Sequence, residues 1–255
     1  MDLRLHGRVI AITGGTDGLG LALATTLIGE GAHPVVCGRD EERVRTAAEL
    51  FGDAGLALTA DVTNAEDCQH FLDAAIQRFG RLDGLVNNAG RSAAGAIAES
   101  DDDEWREDYE LKVIAALRLA RLALPELERH GGSIVNVLAI KGKAPDANST
   151  PTAASRAAGL ALTKALSAEV GPRGVRVNAV LIGLMESGQW RRRADDMGIS
   201  EPEFYEMVLK FQKVPLGRFG RADEFGSLVT FLLSERASYL TGVGINLDGG
   251  LSPIP

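Results

Sequence analysis

The chain predicts an open, doubly wound α/β domain, with a parallel sheet of about seven strands and helices on both faces. Three observations carry this. Short, nearly all-apolar runs alternate with longer runs of helical period along the whole chain. A glycine-rich turn, Thr13-Gly14-Gly15-Thr16-Asp17-Gly18-Leu19-Gly20, joins the first apolar run to the first helical one. Residues able to do chemistry fall at the carboxyl ends of candidate strands, where such sheets bind their ligands.

Strands covered by helices on both faces are nearly all apolar rather than alternating. That is the pattern at residues 9–13, 34–37, 56–59, 85–87, 133–137, 176–180 and 244–247. Helices are read over 19–30, 40–51, 65–79, 102–128, 152–170 and 222–233. No linker or low-complexity stretch divides them, so 1–255 reads as one domain.

In the first unit, Val9-Ile10-Ala11-Ile12 is the strand and Leu21-Ala22-Leu23-Ala24-Thr25-Thr26-Leu27 the helix. The glycines between them let the backbone turn sharply and approach a ligand with no Cβ in the way. Bare N–H groups and the helix dipole favour an anion there, such as a dinucleotide pyrophosphate. The second strand leads to Gly38-Arg39-Asp40. Arg39 stands where such sites separate a ribose hydroxyl from a 2′-phosphate, and Asp40 reads as the cap of the next helix. Asp61-Val62 follow the third strand, with Asp61 able to accept from an adenine amine or nearby backbone. The fourth runs into Asn87-Asn88-Ala89-Gly90. Asn87 reads as an amide bonding across neighbouring strands, with Asn88, Ala89 and Gly90 nearer a ligand. The sixth ends in Leu181-Ile182-Gly183, where Gly183 lets backbone approach a ring.

Residues 184–214 resemble an insertion. They hold Trp190-Arg191-Arg192-Arg193, an acidic pair Asp195-Asp196, and a helical run 203–211 whose Phe204, Tyr205, Met207 and Phe211 offer an apolar face. At the end of a strand such a segment reads as a cover over a substrate; the alternative is a surface helix pair packed on the sheet. The arginine triplet reads as a solvated face that could also attract an anion.

Composition narrows the partners. The 255 residues are 45% hydrophobic with a net charge of −8 and no basic block, which excludes nucleic acid and anionic membrane as expected partners. No apolar run approaches bilayer length and no leader pattern opens the chain, so a cytoplasmic setting is expected. Cys37 and Cys68 read as free thiols. His6, His33, His70 and His130 are scattered, so no metal site is expected.

Together the motifs resemble those of the short-chain dehydrogenase/reductase family, nearly end to end. Thr13, Gly14, Gly18 and Gly20 fit its T-G-x(3)-G-x-G turn, and Asp61-Val62 its pair at the adenine. Asn87-Asn88-Ala89-Gly90 fits its N-N-A-G motif and Arg176-Val177-Asn178 its R-V-N. Pro215-Leu216-Gly217-Arg218-Phe219-Gly220, Thr241-Gly242 and Asp248-Gly249-Gly250 fit its carboxyl-terminal third. The resemblance implies a Rossmann-type fold and a dinucleotide held by Gly14, Thr16, Asp17, Gly18, Leu19, Arg39, Asp61, Val62, Asn88, Ala89, Gly90, Arg156 and Gly183. Ser187 stands in for a Thr that contacts the carboxamide or phosphate. Arg39 points to NADP. NAD stays open because Asp17 occupies a place where many NADP-using relatives carry a basic residue. The resemblance also implies a small-molecule substrate and a homodimer or homotetramer built on the two long helices.

The catalytic positions depart from the family pattern. Members use Ser, Tyr, Lys and an upstream Asn; here the matching positions hold Ala139, Thr152, Arg156 and Lys112. A phenol, with a pKa near 10, can be tuned into a useful range, whereas the alcohol of Thr152 is a far weaker acid. Ala139 has no polar atom, and Arg156 stays protonated. Lys112 alone can titrate, and burial beside Arg156 would lower its pKa toward neutrality, as a general acid–base requires. The alternative is that Lys112 fills the space of the Asn or bonds a carbonyl. Other groups that could serve are Tyr109, sharing a helix face with Lys112, Tyr205 in the cover, and Lys141, Lys143, Asp146 and Ser149 after the fifth strand. Ser155 reads as structural. Three functions stay open: an NADP(H)-dependent oxidoreductase on a carbonyl or alcohol with an altered proton route, a non-redox lyase, dehydratase or cyclase, and a non-catalytic dinucleotide-binding protein.

Overall fold

The computed structural model describes residues 2–255. Seven strands form one sheet in the order β3-β2-β1-β4-β5-β6-β7, every neighbouring pair parallel. They are β1 (Val9–Thr13), β2 (His33–Gly38), β3 (Leu56–Thr59), β4 (Gly84–Asn87), β5 (Ser133–Ala139), β6 (Arg176–Ile182) and β7 (Gly244–Leu247). The helices are α1 (Gly18–Gly29), α2 (Glu41–Phe51), α3 (Ala65–Phe79), α4 (Asp102–Tyr109), α5 (Ala115–His130), α6 (Thr152–Val170), α7 (Gly188–Asp196), α8 (Glu201–Phe211) and α9 (Ala222–Leu233).

Side chains alternate across each strand, so one sheet builds two cores. Val9 and Ala11 join Phe71, Leu119, Ile134 and Val177 in the layer filled from α3, α5 and α6. Ile10 and Ile12 join Leu23, Val36, Val135 and Phe225 in the layer filled from α1 and α9. At ~1.5–3 kcal/mol for each large apolar side chain removed from water, these layers dominate the folding free energy. The chain runs from β1 outward to β3, then returns to the other side of β1 to start β4. The resulting switch point lies between the carboxyl ends of β1 and β4, and the ligand crevice of an open α/β sheet forms there.

Two expected elements are corrected. The run at 102–128 is not one regular helix. A π-turn over Glu110–Ile114 joins α4 to α5. One extra residue per turn swings Lys112 inward, and such turns are frequent at functional sites. The stretch 184–214 contains two helices, α7 and α8; the sequence pattern marked a helical run only over 203–211, and the helix pair was its alternative reading. Asp40 caps α2 as expected, accepting from Glu42 N and Arg43 N. Among the described residues no helix is long and apolar enough to cross a membrane.

Candidate active site

The crevice begins at the turn between β1 and α1. Gly14 and Gly18 take φ of +62° and +53°, which side-chain-bearing residues rarely adopt. A Cβ on Gly20 would sit 2.4 Å from Gly14 O, so only glycine lets α1 start this close to the turn. Thr13 Oγ1 accepts from Asn88 N at 3.0 Å and Ala89 N at 2.9 Å, tying the end of β4 to the turn. The Asn88 side-chain amide donates to Thr13 O and Gly14 O at 2.9 and 3.0 Å and so braces the turn. Asn87 bonds across the sheet as expected, donating to Asn136 Oδ1 at 2.8 Å.

Beyond the turn the side chains are charged. Arg39 lies 3.7 Å from the Asp61 carboxylate, and Asp61 also accepts from Thr63 N and Oγ1. Arg43, on the first turn of α2, bonds Asp17 at 3.1 Å. Val62 is buried, and its carbonyl accepts from Arg118 at 3.1 Å. Gly183 packs against Asp248, whose Cα would be 2.8 Å from an added Cβ. A positive-φ glycine turn at the start of α1 and guanidinium groups at the end of β2 suit a dinucleotide, with its pyrophosphate at α1 and its ribose beside Arg39.

A buried polar cluster lies deeper in the crevice. Lys112 and Asp108, four residues apart on one helical run, are both buried and form an ion pair. Lys112 Nζ also donates to Thr152 Oγ1 at 2.9 Å, and Ser155 Oγ donates to Asp108 Oδ2 at 2.6 Å. Ala93 N donates to the same Thr152 Oγ1 at 2.9 Å. The spacing of Thr152, Ser155, Arg156 and Gly159 puts them on the one face of α6 that meets the sheet. Arg156 donates to Val137 O at 2.8 Å, and its Nη2 would lie 2.6 Å from a Cβ on Gly90, which explains that glycine. Burial first, then the neighbouring Arg156, pushes Lys112 down to about 8, against the pull of Asp108. Burial pushes Arg156 down to about 10, so it remains a cation at neutral pH. Asn87 and Arg156 line a cavity of about 10 Å³ and each carries a buried atom without a partner, Asn87 Oδ1 and Arg156 Nε. The space and polarity suit one bridging water.

Several candidate residues lie elsewhere. Lys143 donates to Gly244 O, Asn246 Oδ1 and Pro255 O and so braces β7. Lys141 pairs with Asp146, Ser149 donates to Asp146 O, and Tyr109 stacks on Trp105. Tyr205 stacks on Phe219 with centroids 4.3 Å apart, inside an aromatic cluster with Trp190 and Phe204 that joins α7 to α8. Phe211 is 81% exposed and takes no part in it. The arginine triplet is not simply a solvated face: Arg191 pairs with Glu201, Arg192 with Asp17, and Arg193 lies over Trp190. Asp108 escaped the sequence reading, although its place four residues before Lys112 was a usable signal. A larger cavity of about 300 Å³ opens at the amino ends of the strands, but its Arg8, Asp83 and Glu235 already pair with one another.

Comparison with known proteins agrees with this geometry. Residues 14–252 match the family model described as enoyl-(acyl carrier protein) reductase. The chain is 35% identical to 2-(S)-hydroxypropyl-CoM dehydrogenase 3 of Xanthobacter autotrophicus, over the full length of both. It superposes with a TM-score of 0.91 on the NADPH-bound short-chain oxidoreductase of Pseudomonas aeruginosa that contains an atypical catalytic centre, at 35% identity over 97% of this chain and 98% of that one. The L-sorbose reductase of Gluconobacter frateurii, complexed with NADPH and L-sorbose, gives a TM-score of 0.91 at 32% identity over all of both chains. With its sheet order, its glycine turn and these relatives, the chain belongs to the short-chain dehydrogenase/reductase family.

Proposed function

We propose that the protein is an NADP(H)-dependent oxidoreductase that interconverts a carbonyl and an alcohol, with Lys112 supplying the proton through Thr152. Ala139, Thr152, Arg156 and Lys112 then stand in for the family's Ser, Tyr, Lys and Asn. The observation that carries this reading is the bonding at Thr152 Oγ1. Its two lone pairs take hydrogens from Lys112 Nζ and Ala93 N, each at 2.9 Å, so its own hydrogen is left for a substrate oxygen.

NADPH, when bound, supplies hydride to the carbonyl carbon. Thr152 gives its hydrogen to the oxygen as negative charge develops there, and takes one from Lys112 in the same motion. Because the two transfers are concerted, Thr152 never has to ionise, and its weak acidity ceases to be an obstacle. A proton donor whose pKa lies near 8 is well matched to work near neutrality. Asp108 holds the ammonium in line and Ser155 fixes Asp108. Arg156 acts as a fixed cation that keeps Lys112 acidic, and beside Gly90 it would help to hold the cofactor's ribose.

NADP as the cofactor is supported by Arg39 and Arg43 at the end of β2 and by NADPH in both solved relatives. Gly14, Thr16, Gly18 and Leu19 would cradle the pyrophosphate, Asp61 and Val62 the adenine, and Ala89, Gly90 and Gly183 the nicotinamide half. Residues 184–214 would cover the substrate. Ser92 N already reaches Gln189 Oε1 of α7 at 3.3 Å. Partly exposed Ile114 and Leu117 on the long helix support assembly of two or more copies.

The test is a titration with NADPH and NADH, then a panel of ketones and aldehydes followed at the reduced-nicotinamide absorbance. NADPH binding with turnover that survives Tyr109→Phe and Tyr205→Phe and is lost in Lys112→Met is expected. NADPH binding with no turnover on any carbonyl, or turnover that persists in Lys112→Met, would overturn the proton route.

A further inference from the structure

Asp17 occupies an unusual place for a carboxylate. It caps α1, its Oδ1 accepting from Gly18 N at 2.8 Å. Its Oδ2 meets two guanidinium groups, Arg43 of α2 at 3.1 Å and Arg192 of α7 at 3.3 Å. The start of α7 closes on the same spot: a Cβ on Gly188 would lie 2.4 Å from Asp17 Oδ2, and one on Gly18 would lie 3.5 Å from Gly188 N. Two helix starts and two arginines from three elements therefore converge on one anionic group. Beside it, Arg39 stands 3.7 Å from Asp61.

We propose that Asp17 is an internal stand-in for the cofactor's 2′-phosphate, holding Arg43 and Arg192 until a phosphate takes them over. The inference rests on NADP being the cofactor. Arg43 is one turn along the helix that follows Arg39, on the side of the turn where ribose and 2′-phosphate are distinguished. Arg192 belongs to the segment read as the cover, so the handover also docks that segment onto the bound dinucleotide. The exchange is easy. Arg43 and Arg192 are about half exposed and Asp17 about a third, and ion pairs this open hold weakly. A phosphate dianion carries twice the charge and offers more acceptor oxygens to both guanidinium groups. Asp17 thus sets the selectivity between phosphorylated and unphosphorylated dinucleotide, opposing the phosphate it prepares for.

The test is equilibrium binding, read by nicotinamide fluorescence, with NADH as the control that lacks the 2′-phosphate. Asp17→Asn keeps an acceptor for Gly18 N, so the cap survives. It should tighten NADPH about three- to fivefold, the size of one exposed ion pair, and shift NADH less than about twofold. Arg43→Gln and Arg192→Gln should each weaken NADPH by about the same factor and leave NADH nearly unchanged. Asp17→Asn that weakens NADPH, or tightens both dinucleotides alike, overturns the inference, as does normal NADPH binding in Arg43→Gln and Arg192→Gln. A wild-type protein that binds NADH but not NADPH overturns the cofactor reading itself, and this inference with it.

Discussion

Lys112 Nζ reaches Thr152 Oγ1 across 2.9 Å, joining a π-turn between two helices to the first turn of a third. An amine with a lowered pKa touches the hydroxyl proposed above to meet a substrate. This contact governs the expected pH behaviour. Reduction of a carbonyl consumes the ammonium form of Lys112, so its rate should hold below pH about 8 and fall above it. Oxidation of the alcohol needs the free amine and should rise through the same pH. Lys112→Met should reduce turnover by ~10²–10⁴ while NADPH still binds. Steady-state pH profiles in both directions, with a binding titration beside them, check this.

Asp108 sets where that limb falls. Its carboxylate stabilises the ammonium against burial and against Arg156. In Asp108→Asn that support is gone, so the pKa of Lys112 drops and the limb for reduction moves to lower pH. Arg156→Gln removes a repelling cation and should move it to higher pH. Opposite displacements from two substitutions in one cluster are not what general loosening of the fold would give.

Thr152 can be tested by shape. Thr152→Ser keeps the hydroxyl and both incoming bonds, so turnover should stay within about tenfold of wild type. Thr152→Val keeps the volume but leaves Ala93 N without its acceptor and Lys112 with Asp108 alone, which costs ~1–3 kcal/mol of stability and removes the relay. Melting temperature and turnover, measured together, separate the two effects.

How far the sequence could take this reading differs between fold and site. The strands at 9–13, 56–59 and 244–247 were legible to the residue, because short, mostly apolar runs bounded by glycine turns leave few alternatives. The cofactor turn was legible for the same local reason. The identities at Lys112, Thr152 and Arg156 could be read, and so could the closeness of Lys112 to Arg156, but not the hydrogen bond from Lys112 to Thr152. Lys112 and Thr152 are forty positions apart, and Lys112 sits in a π-turn that no residue periodicity announces. The pairing of Asp17 with Arg192 was missed because contacts between distant residues belong to the packed molecule, whereas Asp108, four residues before Lys112, left a local signal.

Gly20 offers a test of the cradle separate from the chemistry. Gly20→Ala places a methyl 2.4 Å from Gly14 O and 2.8 Å from Gly15 Cα, both backbone atoms that cannot step aside. The turn must open, moving the N–H groups that would face the pyrophosphate. NADPH binding should weaken by at least about tenfold, corresponding to ~1.4 kcal/mol of lost binding energy. A fluorescence titration reads this directly, and a circular dichroism spectrum close to wild type shows that the sheet survives.

Stability toward acid should depend on Asp83, far from the crevice. Its buried carboxylate accepts from Arg81 Nε and Nη2 at 2.7 and 2.6 Å, from Arg8 at 2.7 Å and from Val9 N at 2.9 Å. Burial pushes its pKa up, but the bonds to Arg81, Val9 N and Arg8 outweigh that, and the net shift is downward. A carboxyl with a depressed pKa stabilises the fold fully above its unfolded value of about 3.9, and that contribution is lost as pH falls through the folded pKa. Asp83→Ala leaves Arg81 and the buried Val9 N without their acceptor, while Arg8 keeps Glu235, and should cost ~1–3 kcal/mol at pH 7. Asp83→Asn retains part of the bonding and should cost less. The gap between wild type and Asp83→Ala should then narrow as pH falls through the folded pKa, because the wild type loses there what the variant never had. Urea midpoints at pH 7 and on an acid series measure both quantities, and a gap that stays constant with pH would show that packing, not charge, holds this corner of the sheet.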